Sequence, residues 1–224
     1  MTRPRTVDTS LLRIAVFGSG QIGGMVQSIL AEGPYQIVGY VDDDPASDFA
    51  HGHPILGDRS WLTSNRNSYD AVCLGVGTIA ARKLLSGWLA SESVPSVSAI
   101  HSSAIISPDV ELGENLIIGA GTTLFVNPKI GDGTFIGPSV VVSHDTIIGN
   151  HCLLSVGSVI GARCDIGDEV LVGCGARLMP TGFSTKARLH IGNRATVGVG
   201  ATVIRNVSVD STVVGTPAKP IANK

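Results

Sequence analysis

Ile130-Gly-Asp-Gly-Thr-Phe-Ile136-Gly-Pro-Ser-Val-Val-Val142-Ser-His-Asp-Thr-Ile-Ile148-Gly-Asn-His-Cys-Leu-Leu154 returns an aliphatic residue every six positions. Carried outward, the same step meets Ile, Leu or Val at all fourteen positions from Ile100 to Leu178. Those three types make up 62 of the 224 residues, so such a run arises by chance at a rate of about 10⁻⁸. A helix repeats at 3.6 residues and a strand at 2, and neither gives six. A three-sided parallel β-helix does: each six-residue unit forms one face, and three faces make a coil whose aliphatics fill a narrow prism. Glycine follows the aliphatic at positions 113, 119, 131, 137, 149, 161, 167 and 173, and reads as the residue that permits the corner. So narrow a core has little room for rings, in keeping with 28 glycines and only 4% aromatics.

The period slips once. It resumes at Ile191, Val197, Val203 and Val209, which places a seven-residue insertion within residues 179–190. Insertions in such coils are extruded on one side, so Phe183, Lys186 and Arg188 are candidates to line a site there.

Upstream the rhythm changes. Residues 12–17 form an apolar run, the glycine-rich Gly18-Ser-Gly-Gln-Ile-Gly23 follows, and Met25, Val26, Ile29 and Leu30 recur at helical spacing before Gly33-Pro34 stops the helix. Residues 36–41 and 71–76 read as further strands, and Thr78 as the N-cap of a helix carrying Arg82, Leu85 and Leu89. This is βαβ grammar with about three parallel strands. The expected division is a small α/β Rossmann-like domain over 1–98 and a β-helix over 99–224.

A net charge of −2 and a pI near 6.3 lack the electrostatic footprint of a nucleic-acid binder. No apolar run approaches the ~20 residues of a membrane span, and no secretory h-region follows Met1. Cys73, Cys152, Cys164 and Cys174 form no CxxC pair and read as small buried hydrophobes. A cytoplasmic protein is the expectation, with neither nucleic acid nor membrane insertion.

Two segments carry chemistry. Val141-Val-Ser-His-Asp-Thr146 offers His144, whose pKa class suits a general base, beside Asp145, a carboxylate able to orient the imidazole. The glycines of residues 18–24 let a backbone approach phosphate, and a helix start supplies free N–H groups. Asp42, 22 residues beyond Gly20, stands where a dinucleotide fold holds a ribose. A complete dinucleotide site needs two such halves and the chain has room for one. A nucleotide-sugar therefore fits better than NAD. His101 reads as structural, and His51, His53, His151 and His190 are given no chemical role. The histidine spacing does not suit a three-histidine zinc site, and no metal is expected.

With the period, the closing Val214-Gly-Thr-Pro-Ala-Lys219 and the junction Ile100-His-Ser-Ser-Ala104, the chain resembles the sialic acid O-acetyltransferase family of hexapeptide-repeat sugar acyltransferases. Its relatives include enzymes that N-acetylate nucleotide-linked 4-amino-4,6-dideoxy sugars of the bacillosamine, perosamine and viosamine type. The resemblance spans nearly the whole chain. It implies a left-handed parallel β-helix, a homotrimer, and acetyl-CoA between neighbouring β-helices, near Gly157, Gly173 and Lys219. His144 would be the base and Asp145 its acidic helper. The nucleotide-sugar would use Gly18, Ser19, Gly20, Gln21, Ile22 and Gly23, with Asp42 and Asp43 after the second strand and Gly77 and Thr78 after the third.

The sequence departs from that pattern in places. Gln21, Ile22 and Gly24 replace a glycine, a histidine and a basic residue of the loop, Gly137 an acceptor-holding Asn, and Leu153 a second His. The acyl-transfer pair is intact, while the groups that identify the acceptor differ. The expected activity is acetyl-CoA-dependent N-acetylation of a nucleotide-linked amino sugar by direct transfer. O-acetylation of sialic acid or another surface sugar, and a non-catalytic nucleotide-binding scaffold, are the alternatives.

Overall fold

Leu12–Phe17 (β1) is buried from Ile14 onward and is an interior strand of a five-stranded sheet. With Tyr35–Val41 (β2), Phe49–Ala50 (β3), His53–Gly57 (β4) and Ala71–Leu74 (β5), the strand order is β3-β4-β2-β1-β5, parallel except for the β3–β4 hairpin. This computed structural model describes residues 11–180 and 188–221. The hairpin goes beyond the three strands read from sequence, its strands of two and five residues being too short to show a period. Helices Gln21–Leu30 (α1), Arg59–Ser64 (α2) and Ile79–Ser91 (α3) cover the sheet. The third strand ends at Leu74 rather than residue 76, because Gly75 is pressed against α1: a Cβ there would lie 2.7 Å from the Gly23 Cα.

From Ala99 the chain winds as a left-handed parallel β-helix of short strands in three sheets. Strands pair at an offset of 18 residues, as in Phe135 with Leu153 and Ile136 with Leu154. The inward aliphatics Leu124, Ile136, Val142, Ile148, Leu154 and Ile160 are at most 1% exposed. Burial of about 1.5–3 kcal/mol for each such side chain is the main force holding the prism. Asx residues add a ladder along one edge: Asp132 accepts from the Glu114 N–H, Asn150 from Asp132, and Asp168 from Asn150, at 2.7–2.8 Å.

Past Ile160 the offset becomes 25, pairing Cys164 with Leu189 and Arg177 with Thr202. Seven extra residues therefore enter between Leu178 and Leu189, as the broken period required. Phe183 and Lys186 lie outside the described residues.

Three expectations need correction. Val209 does not continue the inward row: it is 53% exposed, and Val207 takes that place opposite Ile191. The last coil is two residues short, with Thr196 pairing Thr212, and Asn206 Oδ1 accepts the His190 N–H at 3.0 Å. Cys174 is exposed, although the other three cysteines are buried. The glycine after each aliphatic does not make the corner. Its φ is ordinary, and it is small because the next coil lies against it: a Cβ on Gly131 would sit 2.5 Å from the Gly149 carbonyl carbon. The left-handed corner comes two residues later, at Asn115, Gly121, Asn127, Gly133, Ser139, Asp145, His151, Gly157 and Arg163, with φ of 54–67°.

Arg82 of α3 joins the two parts. It is 1% exposed. Its guanidinium donates to Gly133 O at 2.8 Å and to Asn115 O on the β-helix, and to Leu74 O and Val76 O at 3.3 and 3.2 Å behind β5. Burial pulls its pKa down to about 10, so it remains charged at neutral pH.

Candidate active site

Asp145 occupies a corner, at φ 56°, and His144 stands immediately before it. The corner one coil earlier is Asn127, also left-handed at φ 64°. Stacking at 18 residues sets these side chains over one another. Asn127 Nδ2 donates to Asp145 Oδ1 at 2.8 Å, and His144 Nδ1 meets Asp145 Oδ2 at 2.9 Å. The hydrogen bonds from His144 and then Asn127 hold the Asp145 carboxyl below the usual carboxylate range. An ionised carboxylate only accepts. In the neutral ring Nδ1 therefore carries the hydrogen, and Nε2 keeps a lone pair. With 48% of its side chain exposed, His144 is open to a reactant. Arg188, which ends the insertion, donates to the Asp145 carbonyl at 2.9 Å and pairs with Asp165. Asn127 escaped the sequence reading, which searched neighbours in the chain rather than one coil away.

The remaining sequence candidates on the β-helix separate. Gly157 belongs to another edge, stacked with Gly175 and Gly200 at φ 65–67°; beside each, a Cβ would meet nothing within 4 Å. These three leave open space along that edge. Gly173 is different: a Cβ there would lie 2.7 Å from the Val199 nitrogen, so coil packing explains it. Lys219 is exposed in Lys219–Ile221, which pairs antiparallel with Thr212–Val214 at the end of the prism.

A cleft of about 480 Å³ opens where α1 and α3 begin. Gly18, Gly20, Gln21, Ile22, Asp42, Asp43, Gly77 and Thr78 line it, with Arg59 and Leu84 opposite. Gly18 has a φ of 111°, and Gly23 packs so closely that a Cβ would fall 2.0 Å from Gly18 O. Gly20, the N-cap of α1, supplies no side-chain cap, which leaves the first N–H groups of the helix for an anion. Ser19 shapes the loop from its side: its N–H and hydroxyl donate to Asp42 Oδ2 at 2.8 and 2.5 Å. Burial alone would raise the Asp42 carboxyl, but these bonds outweigh it and keep it low.

Asp43 is likewise engaged, by the Arg59 guanidinium and N–H, and Arg59 lies over the Trp88 ring at 5.7 Å. The acidic pair expected to face a ligand thus organises the cleft wall first, and Arg59 is a lining cation that sequence reading passed over. Thr78 caps α3 as expected, accepting from Ala81 N at 3.2 Å. Ile22 packs on Gly77, where a Cβ would be 2.8 Å from its Cγ1. His101 is structural, its Nδ1 accepting from the Ser103 N–H at 3.1 Å. Among the described residues no three His, Cys, Asp or Glu side chains gather to hold a metal ion, and no helix is long and apolar enough to cross a membrane.

Residues 13–89 match the PglD N-terminal domain family, and residues 127–162 the bacterial transferase hexapeptide family. Among solved structures, PerB from Caulobacter crescentus in complex with CoA and GDP-perosamine is 29% identical, with a TM-score of 0.85 over 93% of this chain and 97% of that one. WeeI from Acinetobacter baumannii is 26% identical, with a TM-score of 0.85 over 93% of this chain and 99% of that one. The acetyltransferase domain of PglB from Neisseria gonorrhoeae, at 24% identity and a TM-score of 0.83 over 93% and 99% of the two chains, shares the fold. No curated protein matches the chain by sequence.

Proposed function

We propose that this chain, an acyltransferase of the hexapeptide-repeat, nucleotide-amino-sugar kind with a PglD-type N-terminal domain, acetylates the amine of a nucleotide-linked amino sugar with acetyl-CoA as co-substrate. The observation that carries the reading is the Asn127–Asp145–His144 relay. The similarity to PerB, solved with CoA and GDP-perosamine, supports the substrate class.

The chemistry follows from the groups present. The sugar amine attacks the thioester carbonyl and His144 Nε2 takes its proton. Asp145 stabilises the imidazolium through Nδ1, itself steadied by Asn127. The tetrahedral intermediate collapses to amide and CoA thiolate, which recovers a proton from the imidazolium. Three of the four cysteines are poor candidates for a covalent intermediate: burial pushes the Cys73, Cys152 and Cys164 thiols up to about 12, far from the thiolate form.

The nucleotide-sugar's phosphates are assigned to the N–H groups of residues 18–24. The pantetheine arm is assigned to the open edge of Gly157, with Lys219 beyond it. In one protomer that edge and the His144 edge are separate edges of the prism. A homotrimer, in which each copy sets one edge against its neighbour's other edge, accounts for both.

The test is a screen of nucleotide-linked amino sugars with acetyl-CoA, read by mass for one added acetyl group. An acetylated amine is expected; an acetylated hydroxyl would move the reading to O-acetylation, and no product with any acceptor would leave a binding scaffold. In the same assay His144→Ala is expected to lower kcat by about 10²–10⁴, and thermal unfolding is expected to show little effect on stability. A variant turning over normally would remove His144 as the base.

A further inference from the structure

His51 reaches the glycine loop from behind. It lies in the β3–β4 turn at φ 48°, and its Nε2 is 3.1 Å from Ser19 O and 3.0 Å from Gly20 O. Carbonyls only accept, so this nitrogen carries the hydrogen and divides it between the two. Gln27 Nε2 donates to His51 O at 3.2 Å, and the ring leans on Tyr40 with centroids 5.6 Å apart. The ring also fills the space beside Gly24: a Cβ there would be 2.6 Å from its Cε1 and 2.8 Å from its Nδ1. Gly24 is within α1 and has no left-handed φ. Glycine at such a position weakens a helix, and its backbone does not require it. The ring does.

We propose that His51 is the positioning residue of the anion-binding loop, and that Gly24 is glycine in order to seat it. By holding the Ser19 and Gly20 carbonyls at the back, the imidazole leaves the opening N–H groups of α1 facing the cleft. Asp42 fixes the same loop through Ser19 N–H and Oγ, so the loop is gripped on two sides before any ligand arrives. Preorganisation of this kind lowers the cost of binding an anion. The inference rests on reading the loop as the seat of the nucleotide-sugar's diphosphate.

Calorimetric titration of the full chain with GDP, UDP and dTDP tests it, in wild type, His51→Ala, Gly24→Ala and the double variant. Either single change is expected to weaken the preferred diphosphate about tenfold and to leave the acetyl-CoA affinity unchanged. Because each removes the same clamp, the double variant is expected to bind no worse than the singles. His51→Gln, which keeps a donor of similar reach, is expected to recover part of the loss. Binding by His51→Ala within twofold of wild type, or losses that multiply in the double variant, would overturn the proposal.

If wild type binds none of the three, the reading of the loop as a diphosphate seat fails, and the clamp is judged in the ligand-free protein. Amide hydrogen exchange over residues 19–24 is then expected to quicken in both singles. Unchanged exchange would overturn it there too.

Discussion

Replacing Arg82 with Met isolates what holds the α/β domain to the β-helix. Methionine keeps an unbranched apolar stem in the same channel and removes every donor. Of the four carbonyls, Gly133 O and Asn115 O are held at short range on the β-helix, while Leu74 O and Val76 O are longer contacts on the sheet side. A hydrogen bond from a charged donor is worth about 1.5–3 kcal/mol net, and a buried acceptor left unpaired costs about 1–3 kcal/mol. Against this, burying the guanidinium itself costs several kcal/mol, which the variant recovers. The four lost charge-assisted bonds outweigh that recovery and leave a loss of about 3–5 kcal/mol, hence a melting temperature lower by roughly 6–20 °C for a chain of this size.

The assay is thermal unfolding followed by circular dichroism at matched protein concentration, since assembly shifts the midpoint. Arg82→Lys, whose single ammonium cannot reach both sides of the junction, should restore less than half. The cap of the same helix, Thr78, lines the cleft, so KM for the nucleotide-sugar should rise more than kcat falls. An Arg82→Met protein melting within about 2 °C of wild type would refute the reasoning. It would mean that the apolar contacts of α3 suffice and that the guanidinium is a passenger.

Asn127→Ala should raise the Asp145 pKa toward the ordinary value of about 3.9, measured by NMR titration of that carboxyl. A carboxylate depressed in the fold stabilises above its unfolded pKa and loses that stabilisation as pH falls through the folded value. The destabilisation by Asn127→Ala should therefore be present at neutral pH and vanish in acid, and kcat should fall while KM for acetyl-CoA holds. Gly131→Ala should cost more than about 2 kcal/mol, because its Cβ meets the Gly149 carbonyl carbon at 2.5 Å. Gly175→Asn, at a left-handed corner open to solvent, should cost under about 1 kcal/mol, both variants being measured by denaturant titration. Equal costs at the two glycines would restore the corner explanation for both.

The β-helix was legible because its period is a packing rule: every sixth side chain must fill the prism, and a sequence cannot keep that rule without showing it. The rule also located the insertion, since the offset of 25 between Cys164 and Leu189 is three six-residue units plus seven. It failed at Val209, where Asn206 lets a shortened coil close and a Val two residues earlier turns inward. The α/β sheet was legible in β1, β2 and β5, which are apolar, and not in β3 and β4, which rest on a two-strand hairpin. Arg82 was visible only as a member of a helix face, because nothing local tells a buried arginine from a solvated one. Its acceptors, Asn115 O and Gly133 O, come from two coils more than thirty residues away.

The site follows the same division between local and stacked information. His144 and Asp145 are adjacent in sequence, so their pairing could be anticipated. The third member could not be found by looking along the chain, yet it was available from the fold that the period had already specified. In a coil of 18 residues each corner stands over the corner 18 positions away. Position 127 is thus the neighbour of 145 by construction, and its left-handed φ favours the Asn found there. The residue that tolerates the turn is also the residue whose amide can donate to the carboxylate above it. One geometric requirement therefore supplies both the shape of the edge and the support of the base. The glycine loop has no such repeat. Asp42, Arg59 and His51 approach it from different elements, so its construction became visible only with the sheet and hairpin in place.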